Sequence, residues 1–392
     1  KIVAEWSGNI VKNVKGVIVP NSGILIGINA AASVGALGGD ADRALEVLHD
    51  VSPEVIKRTK ELAKTDYCEV KLLESTHTLH IKMHCYKGTS NSMVEIRDLH
   101  TNIVCIEKDG KKIHVLASDS AATGKYYGVM TDRSILNLGD IIDFAREVKL
   151  EDIHDLIARQ IEYNTAISNE GMTGKYGVGI GPTILDANCQ SVFTKMKAYT
   201  AAGSEARMGG CILPVITNSG SGNQGITSSI PLVTYAREEG IDEETLYRAL
   251  VLSNLMTIYQ KSYVGRMSAF CAAVSSATSV AAALTFMAGG TDCQISQAIQ
   301  NSLANASGIV CDGAKVSCAA KIATALDSGF LAHQIAMKGL QYEADTGILK
   351  IDVDDTIKSV GRMAAEGMRT TDMEILEIML EEDKGTSFCE KD

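Results

Sequence analysis

Proline is scarce in this chain, and its positions constrain the fold more than any other feature. The five prolines stand at 20, 53, 182, 214 and 231, and none follows Pro231. Nothing in the long C-terminal stretch therefore forces a helix to break. Helical patterns fall over 138–148, 151–168, 184–199, 242–262, 268–288, 294–306, 315–339 and 354–382, some with clear caps such as Asp242. One of them imitates a membrane span: Ser268–Met287 is uncharged over 20 residues. Its bulk is Ala, Ser and Thr, with no flanking basic cluster or aromatic belt. We expect a helix buried among helices.

The N-terminal part reads differently. From Glu69 to Leu116 apolar and polar residues alternate, and Asp109-Gly110 marks a hairpin within an antiparallel meander. Gly16–Pro20 reads as a short strand, Ile24–Leu37 as an apolar run, and Ser52-Pro53-Glu54 as a capped helix start. The expected fold class is α+β. An N-terminal α+β domain with an antiparallel sheet spans 1–137, and an all-helical catalytic domain spans 138–392. No fixed-period repeat is present.

The chain has 392 residues, a soft prior of two or three domains, and 45% are hydrophobic, ample for a large core. Lys and Arg number 37 against 48 Asp and Glu, a net charge of −11. That balance argues against nucleic acid or an anionic membrane as partner. No charged-then-apolar leader opens the sequence, and ten cysteines are too few for a disulfide scaffold. We expect a reducing, cytoplasmic setting and a homo-oligomer. In that setting cysteine spacing points to metal or catalysis before disulfides.

Cys271, Cys311 and Cys318 lie in the helical half, 40 and 7 positions apart, and no CxxC occurs anywhere. Cys311 falls in the Gly-containing connection Ser307–Gly313, and Cys318 near the start of the following helix. A thiolate near a helix N-terminus gains from exposed N–H groups and the positive dipole end. Three such thiolates could hold an iron–sulfur cluster; free cysteines are also small buried hydrophobes, and spacing alone favours that plainer reading. A second feature is the loop Asn218-Ser219-Gly220-Ser221-Gly222-Asn223-Gln224-Gly225 ahead of a helical segment. Its glycines let N–H groups converge, and its side chains add neutral donors, which suits a carboxylate or phosphate. It has neither the P-loop nor the GxGxxG spacing. Glycine-rich stretches at 171–181 and 209–210 strengthen that reading. Arg207 offers either a bidentate fork to a carboxylate or a surface ion pair. His77, His80 and His84 read as a partly exposed strand face, unsuited to a three-His metal site. His100, with Thr101 and Asn102, stands at a strand end where an acid–base group could project. No paired carboxylates and no GxSxG elbow occur.

Taken together, the Asn218–Gly225 loop, the upstream Ala206-Arg207-Met208-Gly209-Gly210, His100-Thr101-Asn102, Ile309–Ala314 and the opening VIVPNSG…GALGGD resemble the L-cysteine desulfidase family. That family is the single-chain relative of the iron–sulfur L-serine dehydratase alpha chain, and the resemblance covers nearly the whole sequence. It implies a [4Fe–4S] cluster on three cysteines, matched here to Cys271, Cys311 and Cys318, with one iron open to an amino-acid substrate. It also implies α,β-elimination of L-cysteine to sulfide, ammonia and pyruvate, with L-serine as a related substrate. In that frame the 218–225 loop and Arg207 anchor the substrate carboxylate. His100 or Asn102 is expected to reach the same pocket across the domain interface.

The family's Gly-Cys-Thr-Glu-Pro stretch is missing, and the sequence opens at Lys1, so a truncated chain is expected. Cys389 could cover the open iron from the tail, or be no more than a frayed-end thiol. Two rivals stand beside the leading reading. A pyridoxal-phosphate dehydratase would need a core Schiff-base lysine, for which Lys315 and Lys321 are near but lack a motif. An amino-acid-binding protein without catalysis is the other.

Overall fold

The computed structural model describes residues 1–116, 131–187, 189, 191–265 and 267–381. The N-terminal part is built on a six-stranded sheet with strands β1 (Ile2–Trp6), β2 (Cys68–Leu72), β3 (His80–Lys87), β4 (Ser90–Arg97), β5 (Ile103–Lys108) and β6 (Lys111–Val115). Their spatial order is β2-β1-β3-β4-β5-β6. β1 runs parallel to β2 and antiparallel to β3, with Ala4 opposite Val70 and Met83. The remaining pairs are antiparallel. Asp109 and Gly110, both at positive φ (48° and 76°), close the β5–β6 hairpin as the sequence predicts.

Three α-helices accompany the sheet among the described residues: α1 (Gly8–Val14), α2 (Ile28–Gly38) and α3 (Pro53–Leu62). The Ser52 hydroxyl caps α3 by accepting from the Val55 N–H. Ala4, Trp6 and Leu79 of the sheet side pack with Ile10, Val11, Ile28 and Ala32 into one apolar cluster. The Gly16–Pro20 strand expected from sequence is reduced to a single bridge between Ile18 and Ile26. β1, a central strand, carries no signal in that reading.

The C-terminal part is helical: α4 (Leu138–Glu147), α5 (Leu150–Gly171), α6 (Ile180–Ala187), α7 (Val192–Met208), α8 (Gly222–Glu239), α9 (Glu243–Val264), α10 (Ala272–Met287), α11 (Asp292–Ala306), α12 (Cys318–Ala336), α13 (Val353–Arg362) and α14 (Arg369–Leu380). The expected helix over 184–199 is two helices, α6 and α7, and that over 354–382 breaks at a π-helical turn, Met363–Gly367. α10 is the hub, packed on α8, α9, α11 and α12. It is buried on nearly every side, which its small residues allow. No helix among the described residues is long and apolar enough to cross a membrane.

The two parts meet where α1 lies against α14 and against the segment after Cys311. Lys12 of α1 is 1% exposed and pairs with Asp372 of α14. Gly313, at φ 98°, presses on α1 so closely that a Cβ there would collide with the Lys12 carbonyl oxygen.

Candidate functional site

The three cysteines occupy ends of elements. Cys271 is the N-cap of α10, Cys318 is the first residue of α12, and Cys311 lies in the connection between α11 and α12. Two main-chain bonds stitch the first two segments together. Cys271 N–H donates to the Ile309 carbonyl at 3.0 Å, and Cys311 N–H donates to the Ala269 carbonyl at 2.6 Å. Phe270 and Val310 bridge between them. Cys318 closes the group, with its Sγ 3.6 Å from the Gly313 carbonyl. All three are half-buried and unbridged.

Burial pushes the Cys271 thiol up to about 12, and charge on Cys311 and on Cys318 adds to the rise. Burial also pushes the Cys318 thiol up, with Cys311 again adding. The sulfurs therefore crowd one another electrostatically, and ionising all three needs added positive charge. A bound cation or cluster would supply that charge. Among the described residues no three His, Cys, Asp or Glu stand close enough to hold one metal ion. A four-iron cluster makes no such demand, because each thiolate takes a different iron. The donor set fits a cluster better than a mononuclear site.

The 218–225 loop is a tight turn leading into α8. Asn218 and Ser221 exchange main-chain bonds at 3.1 and 2.9 Å, with Ser219 and Gly220 at φ 49° and 82° between them. Several side chains expected to face a ligand are engaged within the protein. Asn218 donates to the Asn254 side chain at 2.9 Å and is buried. Ser219 donates to Asn218 Oδ1, and the Ser221 hydroxyl caps α8 by accepting from the Gln224 N–H. Gln224 is buried, and its Nε2 has no hydrogen-bond partner among the described residues. The first turn of α8 adds N–H groups that no helix bond can satisfy.

Arg207 ties this loop to the thiols. Its Nη1 donates to Asn223 Oδ1 at 3.3 Å. Its guanidinium lies against Gly222, where any side chain would collide with it. Burial pulls its pKa down and the Cys318 charge opposes that pull. Among the described residues it pairs with no carboxylate, so the surface ion-pair reading fails. A half-buried guanidinium at a helix N-terminus, beside the Asn223 amide, has the donors that an anion would take.

A family comparison adds to this geometry. Residues 42–377 match the model of the serine dehydratase alpha chain. The chain belongs to that family. A protein from Lachnoclostridium phytofermentans is 46% identical over 380 residues, covering 97% of this chain and 90% of its own length. One from Treponema denticola is 44% identical over 389 residues, covering 97% and 89%. A Bacteroides fragilis protein is 36% identical over 385 residues, covering 97% and 88%. All three carry the name UPF0597 protein.

The other expected residues have the following surroundings. His100 is exposed in the β4–β5 connection. Asn102 donates to the Arg97 carbonyl at 3.0 Å, within its own hairpin. The charged groups that bear on the thiols are Lys321 and Asp312, and Cys318 in turn bears on Arg207. His80 is no exposed face residue: it is buried, 2.8 Å from both Ser75 Oγ and Glu95 Oε1. His77 pairs with Asp98 at 2.8 Å. The glycine-rich 171–181 stretch forms no open anion nest either. Its N–H groups at Val178, Gly179 and Ile180 donate to the buried Glu205 carboxylate at 2.7, 3.1 and 2.7 Å. Cys389 lies outside the described residues.

Lys315 and Lys321 both pair with Asp312. Burial works against the Lys321 charge, yet Asp312 and the cysteines hold its pKa above the ordinary value. A Schiff-base lysine needs the opposite shift, which counts against the pyridoxal-phosphate rival. A cavity of about 740 Å³ opens between α1, residues 72–78 and α14. None of the three cysteines, Arg207 or the 218–225 loop lines it. Sequence reasoning missed Lys12 and Glu205. Neither carries a motif, and only the packing reveals each as buried.

Proposed function

We propose that this chain is an iron–sulfur lyase that eliminates the β-substituent of a small L-amino acid, L-cysteine first and L-serine second. Cys271, Cys311 and Cys318 would hold a [4Fe–4S] cluster. When bound, that cluster would supply Lewis acidity toward a departing sulfide or hydroxide. The elimination leaves an enamine that hydrolyses to pyruvate and ammonia.

The protein's own residues do the rest. Arg207 binds the substrate carboxylate, with Asn223 and the first N–H groups of α8 fixing its orientation. The packing of α10 and α12 leaves the thiols only partly open to solvent, which strengthens polar contacts beside them. The observation that carries the reading is Arg207: one side chain touches the loop amide of Asn223 and feels the charge of Cys318.

The test is anaerobic reconstitution with iron and sulfide, followed by joint assay of pyruvate and sulfide from L-cysteine and of pyruvate from L-serine. Brown protein that yields equimolar pyruvate and sulfide is the expected result. Loaded protein that turns over neither amino acid would overturn the reaction. A colourless protein after reconstitution would overturn the cofactor.

A further inference from the structure

Three consecutive carbonyls around one cysteine each accept from a different lysine. Lys321 Nζ donates to Val310 at 2.8 Å, Lys12 Nζ to Cys311 at 3.3 Å, and Lys315 Nζ to Asp312 at 2.9 Å. With the Cys311 N–H bound to Ala269, both main-chain polar groups of Cys311 are fixed. The three ammonium groups differ in what else they do. Lys12 is neutralised by Asp372. Lys315 is over a third exposed and pairs with Asp312. Lys321 is less exposed, also pairs with Asp312, and stands one turn beyond Cys318 on α12. It acts on the charge of Cys271 and Cys318, and it responds to Cys271 and Cys311 in return.

We propose that Lys321 is a positioning residue for the cluster, locking the Cys311 loop to the helix that carries Cys318 and keeping a fixed positive charge beside the three thiolates. The proposal rests on the reading that these cysteines hold a [4Fe–4S] cluster. Three thiolates make such a cluster net anionic, and reduction adds a further negative charge. A cation held near by stabilises the reduced form more than the oxidised one and so raises the reduction potential. Lys321 has no neutral state to offer at ordinary pH, since its neighbours hold it protonated. Its role is electrostatic and geometric, with no proton transfer.

The experiment compares wild type, Lys321→Met, Lys321→Arg and Asp312→Asn as full chains, reconstituted without oxygen. Iron and acid-labile sulfide per chain are measured, and the midpoint potential is taken from a visible titration. Lys321→Met should lower the potential by the equivalent of about a tenfold change in the one-electron equilibrium, roughly 59 mV. It should also lose its colour in air at least threefold faster. Lys321→Arg should restore most of both, and Asp312→Asn, which removes the opposing charge, should shift the potential upward. If the Met variant does not load, an Arg variant that loads with near-wild-type potential supports the proposal. An Arg variant that fails alike overturns it. Equal loading and equal potential in wild type and Met variant overturn this proposal alone. Wild type that takes up neither iron nor sulfide overturns the cluster reading, and this proposal with it.

Discussion

Two glycine-rich stretches open helices on either side of the end of α7, and they reach opposite electrostatic states. At α6 the N-terminal N–H groups hold the protein's own carboxylate, Glu205. At α8 the neighbouring charge is a guanidinium, Arg207. The two residues are two positions apart on α7, so they leave the helix on nearly opposite sides. An anion at a helix N-terminus is the stabilising sign, and a cation there is the destabilising one. The first arrangement is complete in itself. The second makes electrostatic sense when a further anion lies between Arg207 and α8, and the amino-acid carboxylate has that charge and size. One sequence signature thus serves structure at α6 and, in the proposed function, recognition at α8.

The sharpest way to break this contrast is to remove the carboxylate. Glu205→Ala removes the shared acceptor of three part-buried N–H groups, and we expect a loss of about 2 kcal/mol in unfolding free energy. The KM for L-cysteine of the folded fraction should stay within about twofold of wild type. Denaturant unfolding with parallel kinetics checks both. Unchanged stability would mean that α6 does not depend on Glu205.

Arg207→Met should do the reverse. Truncating a charged partner of a bound carboxylate costs at least about 2 kcal/mol, so KM should rise roughly thirtyfold. Stability should change by under about 1 kcal/mol, because the guanidinium has no carboxylate partner among the described residues and its site disfavours its charge. Equal damage from both variants to stability, with KM unmoved, would erase the distinction between the two helix ends.

The helical half was largely legible because its signals are local. Asp242 caps α9 through the Thr245 N–H as its position predicts, and α10 shows its burial in its run of small residues. The Asp109-Gly110 hairpin was equally plain. β1 was not, because a five-residue strand paired on both sides is too short to show a period. His80 escaped for a related reason: strand alternation says which face it shares, and only packing says which face is covered. The cysteines were visible as residues, yet their spacing did not distinguish ligands from buried hydrophobes. What assembles them is a pair of main-chain bonds between segments 40 positions apart, which no local pattern encodes. Glu205 and Arg207 illustrate the same limit, since the sequence shows two charges in one helical turn and the fold alone assigns each to a different helix.

The smallest expected effect concerns the turn that presents α8. Ser219 and Gly220 both sit at positive φ, as a two-residue turn of this hand requires. Ser219 tolerates that strain while its hydroxyl donates to Asn218 Oδ1 at 2.9 Å. Ser219→Ala keeps the strain and loses the hydrogen bond, for about 1 kcal/mol of stability. Ser219→Gly loses the same bond but relieves about 1 kcal/mol of left-handed strain. Added freedom in the unfolded chain returns about 0.5 kcal/mol of that relief. The Gly variant should therefore unfold closer to wild type than the Ala variant does. If the hydroxyl only shapes the turn, KM should rise about threefold in the Ala variant and stay near wild type in the Gly variant. A matching rise in both would instead place the Ser219 hydroxyl on the substrate. Wild-type KM in both would leave the anion to Arg207, Asn223 and the helix end alone.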